Sequence, residues 1–356
     1  MSENICQQLR AELNELSAVK SRFDTALDEA VKSGNVDKAN ALKEELEVRV
    51  KTLQEKIWPF ENLTRAELKR QFEGQIKILS DTHVIETLAD GRLGIEGIDG
   101  KPYPVPELGA VEKLFTEARE RFQAKIEQGF TKILLVPFGL SLDRLSQRFG
   151  ETVLRHHQAG TLLATKKTPS DPDQPLELDE NQPLWRWDQY NNADVSGVLT
   201  YDPEAFTANQ GQTKTTLLSG ESPLPGWRVV LVENLPNLPA TGAGETINGR
   251  QQLEANKTPN EYLHLIKTEP AYTGESGLNP EEWLTYALSH LEETNQVIDD
   301  YQGNGKISYL LGAYFSAAEG VPAAVWDRAG RRAYLDRFEP DYRYPSVGAR
   351  SAVRVA

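Results

Sequence analysis

VPAAVWDRAGRRAYLDRFEPDYRYPSVGARSAVRVA, residues 321–356, is the segment around which the rest of the chain is organised. It follows an apolar run, Tyr309–Phe315, and ends in a strand-like alternation from Ala349 to Val355. Between these ends, aromatic side chains are interleaved with seven arginines and four acids. Tyr, Trp and Arg carry much of the binding energy at protein interfaces. The composition therefore favours either a binding surface or an ordinary β-hairpin with a solvated arginine face.

The amino-acid usage of this C-terminal segment differs from that of the rest of the chain. All 17 Asn, 18 Lys, 13 Ile and 23 Thr lie at or before Ile307. An even spread would place roughly ten of them after that residue. Codons for these four amino acids begin with adenine. The gap therefore indicates a segment that lost adenines at the DNA level.

Four runs carry a resemblance to a known family: GLNPEEWLTYALSHLEETNQVIDDYQG, LLGAYF, VPAAVWDRAGRRAYLDRF and GARSAVRV. Together they resemble the C-terminal region of the variable proteins of diversity-generating retroelements, over residues 277–356. In that family, an error-prone reverse transcriptase replaces adenines in a template copy, which is then written into the 3′ end of the gene. The diversified residues are displayed on a C-type lectin-like fold of the formylglycine-generating-enzyme type.

The resemblance implies a ligand-binding protein with a rewritten face and a fixed scaffold, and its ligand is expected to be a protein or another cell-surface molecule. It implies that the scaffold comprises Val321, Pro322, Trp326, Arg332, Ala333, Leu335 and residues 348–355, among them Gly348 and Arg350. The diversified, ligand-binding positions that it implies are Ala323, Val325, Asp327, Arg328, Ala329, Gly330, Asp336, Arg337, Phe338, Asp341, Tyr342 and Tyr344, within a segment from about 321 to 346.

Composition excludes several function classes. A net charge of −14 argues against nucleic acid and anionic membrane surfaces as main partners. The single cysteine, Cys6, allows no intramolecular disulfide and suits a reducing compartment. We expect no membrane span and no signal peptide, so the default location is cytoplasmic, with export by another route left open.

Catalytic motifs are missing from the sequence, and we predict that the protein is not an enzyme. It contains no G-x-S-x-G, H-E-x-x-H or Walker pattern. The related formylglycine-generating chemistry needs cysteine, and Cys6 is remote from the C-terminal segment. Trp326-Asp327-Arg328 places a cation where a calcium ligand would be needed. We therefore predict neither a cofactor nor a metal.

Residues 5–57 predict an antiparallel helical hairpin of coiled-coil type. Apolar residues with alternating spacings of three and four form the predicted seam, in which Lys20 is the weak position: Leu9, Leu13, Leu16, Phe23, Leu27 and Ala30. A turn is expected at Ser33-Gly34-Asn35 and a helix end at Trp58-Pro59. The hairpin could stabilise the chain, form a homo-oligomer or dock a partner.

The predicted fold class is α+β: the hairpin at 1–58, a small α/β linker element at 59–129, and a C-type lectin-like mixed domain with irregular loops at 130–356. We predict helices at 65–72, 108–129, 140–158 and 279–299, and strands at 131–138, 185–187, 195–200 and 226–232. Thr258 and Asn279 are predicted N-caps, each followed by proline. Two other functions remain alternatives: an adaptor that acts through the hairpin, and an uncharacterised enzyme.

Overall fold

The computed structural model describes residues 2–33, 36–58 and 60–356, and for 2–13, 31, 38, 39 and 51–57 it describes the backbone alone. The chain divides into two compact units, Met1–Ala66 and Glu67–Ala356. The predicted boundary between residues 129 and 130 therefore falls inside the second unit. The turn at Gly34-Asn35 and the helix end at Pro59 lie outside the described residues.

The helices and strands have the following bounds. The helices are α1 Ser2–Ser33, α2 Asp37–Ile57, α3 Arg65–Asp81, α4 Leu108–Glu117, α5 Arg119–Glu127, α6 Leu142–Gln158, α7 Ala193–Ser196, α8 Lys214–Ser219, α9 Pro259–Thr268 and α10 Pro280–Thr294. The strands are β1 Glu86–Thr87, β2 Leu93–Glu96, β3 Pro102–Pro104, β4 Phe130–Val136, β5 Leu184–Arg186, β6 Leu199–Tyr201, β7 Gln212–Thr213, β8 Arg228–Glu233, β9 Thr246–Ile247, β10 Arg250–Gln251, β11 Ser276–Gly277, β12 Asp300–Tyr301, β13 Ile307–Tyr309, β14 Ala313–Phe315, β15 Val321–Asp327, β16 Arg332–Phe338, β17 Val347–Ala349 and β18 Ser351–Arg354. This mixture of helix and sheet agrees with the predicted α+β class.

In the first unit, α1 and α2 form the predicted antiparallel hairpin. Ion pairs link Glu15 to Arg49 at 2.9 Å and Arg22 to Glu45 at 3.3 Å. The seam differs in part from the predicted one. Ala30 is buried as predicted, and Leu16 and Phe23 are half-buried, whereas Leu27 is 43% exposed. Val19 and Ala26 are buried instead of their neighbours Lys20 and Leu27. The side chains of Leu9 and Leu13 lie outside the described part of the chain.

The second unit is built around α10 and a four-stranded sheet of order β11-β18-β8-β4. Every residue of α10 from Pro280 to Leu291 is buried. The helix begins with a reciprocal capping box, in which Asn279 accepts a bond from Glu282 N–H and the Glu282 carboxylate accepts one from Asn279 N–H. It ends at Thr294, earlier than predicted, because Asn295 adopts a left-handed backbone conformation.

A second sheet carries the C-terminal segment. Its order is β17-β13-β15-β16-β5, and β12 pairs with β15 beside β13. β17 lies in this sheet and β18 lies in the sheet of four, so the last strands of the chain are held in two different sheets. Three short sheets, of order β1-β2-β3, β14-β6-β7 and β10-β9, are present as well.

Three predicted elements differ from the structure. The helix predicted at 65–72 continues to Asp81, because Gln75 occupies a buried position where it accepts a bond from the Ser289 hydroxyl. The helix predicted at 108–129 is interrupted at Ala118, which has φ −110° and ψ 34°. The strand predicted at 195–200 begins instead as α7, which Gly197 ends with a positive φ, before β6 follows.

Candidate binding surface

The register of β15 and β16 decides which C-terminal side chains share a face. Val325 lies opposite Tyr334 and Asp327 opposite Arg332, while Trp326 lies opposite Ala333 on the other side of the sheet. The inward side packs against α6 and α10 through Trp326 and Ala333, both buried. On the other side, alternate residues of β16 are half-buried. One side of the hairpin is therefore buried on both strands, whereas the other is half-buried along β16 and buried along β15 at Val321, Ala323 and Val325.

Neighbouring strands widen this surface. In the parallel pairing with β5, Trp185 aligns with Tyr334, and in the pairing with β12, Tyr301 aligns with Asp327. The Trp185 and Tyr334 rings lie 5.2 Å apart between centroids, and the Arg332 guanidinium lies 5.6 Å from the Tyr334 centroid. We call this surface the hairpin face. It consists of Trp185, Tyr301, Val325, Asp327, Arg332, Tyr334 and Asp336.

A column of aromatic rings borders the hairpin face. Tyr309 meets Phe338 edge-on at 5.7 Å, and Phe338 stacks on Tyr342 at 4.7 Å with 11° between their planes. Tyr342 in turn lies 6.3 Å from Tyr344, which is 49% exposed. The Tyr309 hydroxyl donates to the carbonyl of Tyr342 at 2.7 Å. The column therefore leads from the buried core to solvent.

Charges on the hairpin face are held in place by neighbours. The Arg332 guanidinium pairs with Asp179 at 3.2 Å and donates to the Gln182 side chain. Burial raises the pKa of Asp336, whose carboxylate accepts a bond from the Arg337 N–H. Partly desolvated charges of both signs beside aromatic rings suit the recognition of a protein surface.

At the tip of the hairpin, Arg328 belongs to the interior. Its guanidinium donates to both oxygens of Asp300, at 2.7 and 2.6 Å, and the side chain of Asp300 is fully buried. These bonds raise the pKa of Arg328. A Cβ at Gly303 would lie 2.2 Å from the same guanidinium, so a larger residue there would have to displace Arg328. The tip loop is thus anchored by a buried ion pair.

The twelve positions expected to be diversified are divided by the structure. Asp327 and Asp336 lie on the hairpin face, and Phe338, Tyr342 and Tyr344 form the aromatic column that borders it. Ala329, Gly330 and Asp341 lie in the adjoining loops. The other four positions are not exposed on this surface. Ala323 is buried, and Val325 belongs to the hairpin face but is buried as well. Arg328 pairs with Asp300, and Arg337 points to the opposite side and lies over the Trp187 ring. Asp327 and Phe338 are also roughly 20 Å apart along the strands.

The expected scaffold residues lie mainly in the interior. Trp326 and Leu335 are buried, and a Cβ on Gly348 would meet the Ala255 backbone at 3.0 Å. Arg350 pairs with the buried Asp299 at 2.5 Å and donates to the carbonyls of residues 235 and 236. Arg332 is the exception, since it lies on the hairpin face.

Sequence reasoning missed part of this surface. Strict alternation over RRAYLDRF would have placed Arg332, Tyr334, Asp336 and Phe338 on one side. The sequence predicts only that Trp185 lies in a strand at 185–187, and it gives no signal for Tyr301. No local pattern could have brought these two residues to the hairpin, because their pairing strands are distant in sequence or irregular.

Comparisons with protein-family models, with curated proteins and with solved structures find no match to this chain. No helix among the described residues is long and apolar enough to cross a membrane. Within the same described ranges, no three His, Cys, Asp or Glu side chains are grouped so that they could hold a metal ion.

Proposed function

We propose that this chain is a binding protein whose hairpin face and bordering aromatic column contact a partner protein, without turnover of a substrate. The observation that carries the proposal is the register of β15 and β16, which gathers aromatic and charged side chains on one side of a hairpin. The other side of the same hairpin is packed against α6 and α10. Half-buried Tyr, Trp and Arg side chains give large contact areas at low entropic cost.

We further propose that the exposed positions of this surface are replaceable, as expected of a variable protein of a diversity-generating retroelement with a C-type lectin-like domain. Support comes from the adenine-poor amino-acid usage after Ile307 and from the frame beneath the surface. The ends of the segment are held by β15 at one side and by β17 and β18 at the other. An exposed side chain can change without loss of fold when the backbone is fixed in this way.

The structure refines which positions this proposal makes replaceable. Arg328 belongs to the frame because Asp300 would lose its partner, and Ala323 belongs to the core cluster that also contains Val321 and Tyr309. Tyr334 and Arg332 instead join the replaceable set because they lie on the hairpin face. The ligand remains a protein or another cell-surface molecule.

Sequencing the same locus in sibling genomes tests the proposal. We expect substitutions at the codons for Asp327, Tyr334 and Asp336 and constancy at those for Trp326 and Leu335. An adenine-rich near-copy of the segment and a reverse-transcriptase gene should lie nearby. Identical C-terminal segments in all siblings, with neither of these elements nearby, would contradict the retroelement origin.

One observation favours a second function, that of an adaptor acting through α1 and α2. The seam of the hairpin is only partly covered, since Phe23 and Leu46 are half-buried and Leu27 is 43% exposed. A helical partner would bury these groups. Under this alternative, Leu27→Glu should abolish partner capture, whereas Tyr334→Ser should not change it.

A further inference from the structure

A fully buried lysine lies between two fully buried carboxylates in the second unit. The Lys214 Nζ atom is 2.7 Å from Asp194 Oδ2 and 2.6 Å from Glu281 Oε1, and all three side chains have no exposed surface. Nζ also donates to the carbonyl oxygen of Leu140 at 2.9 Å, and the Tyr201 hydroxyl donates to Glu281 Oε1 at 2.6 Å. Neither the hairpin face nor its frame requires this cluster.

Three helix starts bring these residues together. Lys214 is the first residue of α8, Asp194 lies in α7, and Glu281 lies in the first turn of α10. The Phe138 and Tyr201 rings lie 5.2 and 5.7 Å from Nζ and keep the cluster dry. Buried ions cost several kcal/mol unless every polar atom is satisfied, so a structural ion pair would be expected to satisfy both carboxylates.

The carboxylates are not fully satisfied. Asp194 Oδ1 and Glu281 Oε2 are buried and have no hydrogen-bond partner. Asp194 Oδ2, in contrast, accepts a bond from the backbone N–H of Leu142 at 2.8 Å. The Lys214 nitrogen therefore contacts the Asp194 carboxyl group, and the Glu281 carboxylate lies beside the same nitrogen. The Leu142 N–H is a fixed donor to one oxygen of Asp194.

We propose that Lys214 and Asp194 become joined by an intramolecular isopeptide bond, with Glu281 as the proton carrier. A first proton passes from the ammonium group by way of Glu281 to Oδ1 of Asp194, and the amine lone pair then attacks Asp194 Cγ. The Leu142 N–H stabilises the negative charge that develops on Oδ2. Glu281 accepts a proton from the nitrogen and returns it to Oδ1, which departs as water. The Nζ–Cγ bond forms, the Cγ–Oδ1 bond breaks, and no oxidant or cofactor is consumed.

Proximity and dryness both favour this condensation. Groups held at contact distance reach effective concentrations of about 10⁵ M or more. Condensation replaces an ammonium and a carboxylate by a neutral amide, which removes two of the three buried charges of the cluster and leaves that of Glu281. The new bond would close the segment 194–214, which contains β6 and β7, and β6 pairs with β14 just before the C-terminal hairpin.

Intact-mass spectrometry of the purified full-length chain tests the proposal. We expect a mass lower by one water than the sequence requires. Trypsin should fail to cleave after Lys214, leaving the peptide 187–228, also lighter by one water. Fragmentation should show no backbone cleavage products separating residues 194 and 214. If the folded protein has the full mass that its sequence requires, the proposal is wrong. It is also wrong if Lys214 is linked to Glu281 in the peptide 268–306.

Two variants test the roles of the amine and of the proton carrier. Lys214→Arg keeps the positive charge but lacks the nucleophilic amine, and it should show the full mass. Glu281→Gln keeps an acceptor for the Tyr201 hydroxyl but cannot accept the proton, and it too should show the full mass. A water loss in either variant overturns the assignment. If a variant does not fold, the mass and peptide map of the wild-type chain still decide the proposal.

Discussion

At the scale of single residues, Arg328 shows how contacts can override sequence position. It is one of the positions that the family resemblance implies to be variable, between Asp327 and Ala329. Its guanidinium, however, supplies two bonds to the fully buried Asp300 carboxylate. Removing one partner of a buried ion pair leaves a charge without compensation, which costs much more than losing an exposed pair.

We predict that Arg328→Gln lowers the free energy of unfolding by about 3 kcal/mol, because Asp300 becomes an unpaired buried charge. Arg331→Gln is the matched control, since its pair with Glu177 is 3.6 Å long and both side chains are more than half exposed. The control should cost less than about 0.5 kcal/mol. Urea unfolding of both variants measures the difference. If the Arg328→Gln and Arg331→Gln variants have the same free energy of unfolding, Arg328 belongs to the replaceable positions.

What sequence could predict at this scale depended on how local the signal was. Asn279 and Thr258 were identified as N-caps because the cap, the proline and the acid lie within four consecutive residues, and both capping boxes are present. The partners of Arg328 and Arg350, by contrast, lie on other elements. Nothing in the neighbouring residues indicates such pairs.

At the scale of elements, buried and half-buried side chains alternate along the first five residues of β16. Residues 333 and 335 of β16 are buried, whereas Arg332, Tyr334 and Asp336 are half-buried. Neighbouring residues of one strand should therefore respond very differently to truncation, because the side-chain direction alternates.

We predict that Leu335→Ala lowers the free energy of unfolding by about 3 kcal/mol, from lost burial and the remaining cavity. Tyr334→Ser, one residue away, should cost about 1 kcal/mol, the value of its contacts with Trp185. Thermal unfolding followed by circular dichroism compares the two variants. A Tyr334 variant as unstable as the Leu335 variant would show that the hairpin face is core.

The central helix α10 contains a pH-sensitive group. Burial lowers the pKa of His290 to about 4, with Lys132 and Arg350 adding to the effect. An unfolded histidine binds a proton near pH 6.5. The neutral ring therefore favours the folded state above pH 6.5, and this stabilisation is lost as the pH falls from 6.5 towards 4.

We predict that the His290 contribution to stability falls by roughly 2 kcal/mol between pH 7 and pH 5. Other groups titrate in this range, so the contribution is the difference between wild type and His290→Gln, measured by urea unfolding at both values. The glutamine variant should lose less stability on acidification than the wild type. Parallel losses in both proteins would mean that the ring is accessible to protons in the folded state.

Element positions followed from sequence where the pattern was strong. The buried strand β4, helix α6 and strand β8 were predicted close to their observed bounds. Prediction failed where a tertiary contact decided the outcome, as for Gln75 in α3, or where one residue changed the backbone direction, as at Ala118 and Gly197. The alternation along residues 332–338 predicts which side chains of β16 share one side of the hairpin.

At the scale of the whole molecule, the second unit combines the hairpin face with buried residues that fix the C-terminal strands. The two C-terminal strands lie in different sheets, and buried ion pairs such as Arg350 with Asp299 fix the backbone between them. These features lie beneath or beside the hairpin face. We propose that this face, and not the exposed side of α6, determines what the protein binds.

A matched pair of triple variants separates these two surfaces. One variant replaces Asp327, Tyr334 and Asp336 by serine, which removes the charges and the central ring of the hairpin face. The control replaces the exposed residues Gln147, Glu151 and Arg155 of α6 by serine. Circular dichroism should show that both variants keep the wild-type helix content.

The most direct measurement is quantitative capture of partner proteins by the immobilised wild-type chain and by the two triple variants. The hairpin-face variant should capture at least about tenfold less of the wild-type partner, because interface anchors typically contribute that much binding energy. The α6 variant should capture as much of the partner as the wild type does. Undiminished capture of the same partner by a folded hairpin-face variant would contradict the account.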